Sequence, residues 1–117
     1  EHPAWSLAWA AHGLPAPPAF GWHRDIAGGW CCEVSQAAYG HRARKLTWLY
    51  YVGRNAPPPL DWSRPEASAV VSRFSLAKGV ITRCAGKKKL SSREASATPK
   101  RFAAVLLELA RGCGGAP

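Results

Sequence analysis

Two stretches rich in β-forming residues, "GWCCEVSQ" and "LTWLYYVG", are separated only by the small turn "AAYGH" and the cation-dense "RARK". No other feature constrains the fold as strongly, since runs joined this tightly are expected to be neighbours in one sheet. Residues 30–35 alternate enough, and hold enough β-formers, to be one strand. Residues 46–52 form the second, and their nearly continuous apolar character predicts burial on both faces. Residues 29–53 are therefore expected to be two adjacent central strands of an α/β sheet.

The flanking elements follow from punctuation. "AWSLAWAAHGL" predicts a short helix over residues 5–12, with Gly13 as its stop and Pro15, Pro17 and Pro18 forbidding continuation. "AFGWHRDIAGG" reads as a loop or a twisted extended segment. "GRNAPPPLDWSRP" carries four prolines in thirteen residues and must be a surface connection. "ASAVVSRF" is a short strand or another extended segment, and residues 73–97 are expected to be a basic loop. In "ATPKRFAAVLLELARGCGG", Thr98 is placed as N-cap, Pro99 at the first helical position and Gly112 past the last periodic residue. Phe102, Val105, Leu106 and Leu109 share one apolar face, so this helix should dock on the sheet. Of the six tryptophans, Trp5, Trp9 and Trp48 are assigned to the core; Trp22, Trp30 and Trp62 fit core packing better than base stacking.

Composition enters where function does. The 117 residues suit one domain, and 47% hydrophobic residues favour a folded chain. Sixteen Lys and Arg against seven Asp and Glu give a formal charge of +9, which favours a polyanionic partner, DNA first among them, over an acidic or apolar one. The plain alternative is a soluble basic protein. No run reaches the roughly 18 apolar residues of a membrane span, and no signal segment opens the chain, so a cytoplasmic protein is expected. The sequence opens at Glu1 and holds no Met, which suits a fragment or a processed product. Cys31, Cys32, Cys84 and Cys113 show no CxxC spacing, and adjacent Cys31 and Cys32 would point to opposite strand faces. Reduced, mostly buried thiols and no metal site are expected.

Cations cluster twice. Arg42 and Arg44 are two residues apart and share a face if the strand entrance is extended, giving two guanidinium forks suited to phosphate or base edges, with Lys45 beside them. His41 is equally a turn residue bonded to backbone or a site residue. Residues 73–101 hold nine of the sixteen Lys and Arg, including Lys87, Lys88 and Lys89. That run is either a phosphate-contacting loop or a solvated linker, with no interleaved aromatic to stack on bases.

"YGHRARKLTWLYYVG" resembles a segment of DNA-methyltransferase-like proteins of phages and bacteria, in which an aromatic-Gly-His turn precedes a Lys, a Thr two positions on, and an aromatic strand ending in Gly. It is more distantly similar to cytosine-5 DNA methyltransferases. "EHPA" resembles the family's Glu-Asn turn, and "ATPKRFAAVLLELA" its closing motif and helix. The resemblance implies the C-terminal half of a larger, Rossmann-like methyltransferase domain. On it, Glu1 would hold the target base, while Gln36, Tyr39, His41, Arg42, Arg44, Lys45 and Thr47 would face DNA with Lys87, Lys88 and Lys89. Thr98 and Pro99 would touch S-adenosylmethionine. The family's glycine-rich cofactor motif and Pro-Cys nucleophile do not occur here, His2 stands in place of Asn, and "GWCCEV" lacks the turn that exposes a nucleophilic thiol. A chain inactive alone is implied. The expected function is the DNA-binding portion of such an enzyme; the alternatives are a non-enzymatic DNA-binding phage accessory protein and a protein-interaction module.

Overall fold

The structure, a computed structural model, describes residues 1–70, 74–77, 80–83 and 87–112. The chain runs β1 (His2–Pro3), α1 (Leu7–Ala11), β2 (His23–Arg24), β3 (Trp30–Ser35), a 3-10 turn (Gln36–Tyr39), and β4 (Leu46–Tyr51). There follow β5 (Ala69–Val70), β6 (Phe74–Ala77), β7 (Val80–Arg83), β8 (Lys88–Lys89), α2 (Ser92–Ser96) and α3 (Lys100–Gly112).

The two β-rich runs are indeed adjacent and central, in a four-stranded sheet of order β1-β4-β3-β2. Its direction corrects the expectation. Every pair in this sheet is antiparallel, with β3 and β4 in register from Trp30↔Tyr51 to Ser35↔Leu46. A Rossmann-like sheet is parallel, and a parallel neighbour needs a crossover of about a dozen residues or more, usually helical. Residues 36–45 instead turn the chain back directly, through the 3-10 turn and Gly40 in the left-handed region at φ 99°. The apolar run of β4 was a sound guide to burial and a poor one to strand direction: an antiparallel sheet covered on both faces reads the same way.

That covering follows from the period of two. On one face Cys32, Val34, Leu49 and Tyr51 meet Phe102 and Leu109 of α3, with Tyr39 from the turn. On the other, Cys31 and Trp48 pack with Trp9 of α1. Cys31 and Cys32 thus sit buried on opposite faces with free thiols, while Cys84 and Cys113 lie outside the described residues. Trp22, Trp30 and Trp62 pack against the larger core. Trp5 departs from its assignment: at φ 63° it cannot be helical, so α1 starts after Ser6, whose hydroxyl accepts from Ala8 N. Its ring lies over Trp48 at 5.0 Å and is 40% exposed.

α3 docks as expected, with Phe102 fully buried and the Tyr51 hydroxyl donating to Gly112 O at 2.9 Å. The Pro99 carbonyl accepts from Ala103 N, so the helix cap falls at Pro99, one residue after Thr98. The expected basic loop over residues 73–97 is corrected wherever it is described. β6 and β7 pair as an antiparallel hairpin, β8 pairs in parallel with β5, and α2 is helical. Arg73 and Lys78 lie outside the described residues.

Candidate nucleic-acid interface

The segment between Gly40 and β4 is held by backbone bonds to a distant part of the chain. His41 Nδ1 accepts from Ala43 N at 3.0 Å, which folds the start of the segment on itself. Arg42 O accepts from Ser68 N and Ala69 N, and Ala43 bridges Ala69. Leu90 N, just past β8, donates to Val70 O at 2.8 Å. Ala43, Ala69 and Leu90 form a small buried cluster on which Ala95 of α2 packs. Three alanines there let the backbones approach closely, and α2 sits directly over the strand entrance.

Burying Ala43 forces its neighbours outward. Arg42 and Arg44 are both exposed, the alternation expected of an extended entrance. Arg42 Nη1 then meets Glu94 Oε2 of α2 at 3.1 Å, both side chains about half exposed. Lys45, in the left-handed region at φ 42°, sends Nζ to Ser96 O (3.3 Å) and Ala97 O (3.4 Å), capping the C-terminal carbonyls of α2. Exposed Lys88 and Lys89 line an open groove of about 660 Å³ beside α2, together with Ser91, Ser92, Glu94 and Ser96. Arg42 and Lys45 of one cation cluster and Lys88 and Lys89 of the other therefore meet at α2, which itself carries Arg93.

Glu94 is the residue that sequence reasoning missed. Ser91 caps α2, its hydroxyl accepting from Glu94 N and donating to Glu94 Oε1, both at 3.2 Å. This Ser-x-x-Glu capping box was legible in "SSRE". The Ser91 hydroxyl holds the Glu94 carboxyl below the usual range, with Lys88 and Arg42 adding attraction. Glu94 is the one carboxylate lining the groove among the described residues.

Other expected site residues are placed elsewhere or used structurally. Gln36 and Thr47 are buried and bonded to each other at 2.9 Å, while Thr47 Oγ1 donates to Lys45 O. They staple the strand entrance and offer DNA nothing. Tyr39 is buried, its ring 5.3 Å from Phe102 and its hydroxyl accepting from Asp61 N at 2.8 Å. His41 is half-buried and takes the turn role. Gln36 Oε1 and His41 Nε2 are buried without a hydrogen-bond partner among the described residues. Glu1 precedes the His2↔Trp48 pair, so it lies up the sheet edge, away from Lys45. Lys87 is half-buried at the head of β8.

Thr98 is exposed and Pro99 half-buried between α2 and α3, and neither lines the groove or the smaller cavity between Tyr39, Leu60 and Leu109. That surface does not fit S-adenosylmethionine, which needs an enclosing cleft. Burial pushes the Cys31 and Cys32 thiols up, the second far above its ordinary value. Among the described residues no group of His, Cys, Asp and Glu is arranged to hold a metal ion, and no helix is long and apolar enough to cross a membrane. Comparison with family models, curated proteins and solved structures returns no match to this chain.

Proposed function

We propose that this chain is a non-enzymatic DNA-binding protein whose contact surface is the face around α2. The observation that carries the proposal is the gathering of Arg42, Lys45, Lys88 and Lys89 about one short helix that itself carries Arg93, from segments over forty residues apart. Against these stands, among the described residues, a single groove carboxylate, Glu94. Clustered exposed cations of one sign raise the local concentration of a polyanion and release its counterions on contact.

Methyl transfer is no part of the proposal. A cytosine-5 mechanism needs a thiolate at an open site, and both described thiols are buried with their ionisation disfavoured. The antiparallel sheet likewise lends the methyltransferase ancestry no support, and that ancestry rests on the motif resemblance alone.

Fluorescence anisotropy with a labelled DNA duplex tests the proposal at about 50 mM salt, where phosphate contacts are strongest. The parent chain is expected to bind, Lys88→Ala with Lys89→Ala to bind more weakly, and labelled S-adenosylmethionine to leave the DNA unlabelled. A parent chain indifferent to DNA at that salt sinks the proposal.

A further inference from the structure

We infer that the DNA taken by this face is the double helix, held through its phosphates without reading sequence. The inference rests on the proposed DNA-binding role and narrows its ligand.

Reading a base needs a side-chain fork carried into a groove, most often an arginine set against guanine. Of the guanidiniums near α2, Arg42 is bonded to Glu94, and neither Arg44 nor Arg93 lines the groove. Lys45 is likewise spent on the carbonyls of Ser96 and Ala97. α2 has 5 residues, so it is only about 7.5 Å long. Its Ala95 packs on the buried alanine cluster and its end is pinned by Lys45, so it cannot project into a major groove. What the groove presents is a set of simple donors: the ammonium groups of Lys88 and Lys89 and the hydroxyl of Ser92, the Ser96 hydroxyl being bonded to Ser92 O. Such groups suit phosphate oxygens and carry no sequence information.

The same lining argues for a duplex over a single strand. Proteins that hold single strands stack successive bases on aromatic rings, and among the described residues no aromatic side chain lines this groove. A duplex needs no stacking partner and presents a denser phosphate array, about one charge per 1.7 Å of axis. Arg44, Lys88, Lys89 and Arg93 have no ion pair closer than 4 Å among the described residues, and Glu94 shares its charge between Arg42 and Lys88. If these four cations each meet a phosphate, log affinity should fall against log salt with a slope of about −3.6.

The experiment uses the full chain with two labelled duplexes of unrelated sequence and equal length, and one of their single strands, titrated over salt by anisotropy. The expected result is equal affinity for the two duplexes within about twofold, a weaker single strand, and a slope near −3.6 on both duplexes. Lys88→Ala with Lys89→Ala should flatten that slope by about 1.8 on both alike, with circular dichroism confirming an unchanged fold. More than about tenfold discrimination between the duplexes, or a tighter single strand, overturns the inference while leaving DNA binding intact. Absence of binding to all three overturns the DNA-binding proposal itself.

Discussion

Glu94→Gln is the most informative single change, because it removes the groove's carboxylate while keeping its local structure. Glutamine serves the N3 position of a capping box as glutamate does, so Ser91 should still close the first turn of α2. What is lost is the Arg42 ion pair at 3.1 Å, a half-exposed contact of the kind that adds little to stability. The effect on DNA is larger. Arg42 becomes available for a phosphate, adding one contact and steepening the salt slope by about 0.9. Between about 50 and 200 mM salt, a fourfold change, that extra slope corresponds to an advantage over the parent that shrinks by about 3.5-fold. The variant should therefore bind more tightly than the parent at low salt and converge on it as salt rises. Arg42→Ala in the Glu94→Gln background should remove most of the steepening, since the freed guanidinium is its source. Anisotropy titrations of the three proteins measure all of this. Tighter binding with an unchanged slope, or no tightening at all in a variant whose circular dichroism matches the parent, would refute the reasoning.

Phe102 is fully buried where α3 meets the sheet and Tyr39, so Phe102→Ala should cost about 3 to 5 kcal/mol in urea unfolding, and a loss under 1 kcal/mol would contradict the core described. Gly29 faces the Tyr50 hydroxyl so closely that a Cβ there would lie 2.1 Å from it; Gly29→Ala should break the bond of that hydroxyl to Asp25 and lower the melting temperature, and no change would contradict the packing. With Cys84 and Cys113 replaced by serine, the remaining Cys31 and Cys32 should react with a thiol reagent only as fast as the protein unfolds. Because burial raises both thiols, the unfolded chain releases those protons first as pH climbs past the ordinary thiol value of about 8.5. Their contribution to stability is complete below that pH and is lost above it, so the urea midpoint should fall from pH 8 toward pH 10.

The legible part of this fold is local. Residues 30–35 are β3 as the sequence reads them, and β4 ends one residue before Val52. The direction of the sheet was also written, in the shortness of residues 36–45, but the apolar run of β4 pointed the other way because two-sided burial has the same signature in either sheet type. α2 was hidden by its company: the Ser91-to-Glu94 capping box sits behind three lysines and looks like more of a solvated charge run. The exposure of Arg42 and Arg44 followed from alternation about Ala43. Their partners did not, since Glu94 is 52 residues from Arg42 and reaches it only through the packing of α2 on Ala43. Gln36 and Thr47 show the opposite failure. Polar residues beside a glycine turn resemble a site, and only the folded structure reveals that they are buried and that the Gln36 amide donates to the Thr47 hydroxyl in the interior.

The central claim is a location: DNA meets the face formed by residues 42–45, β8 and α2. Titrating the isotopically labelled chain with a short DNA duplex and following backbone amide shifts by NMR tests it most directly. The account predicts that the amides of Arg42, Arg44, Lys88, Lys89 and residues 91–96 move progressively, while those around Trp9, Asp25 and Gly29, on and beside the α1 face of the sheet, stay still. Shifts concentrated around α1 or the Asp25 loop, with residues 88–96 unmoved, would contradict it.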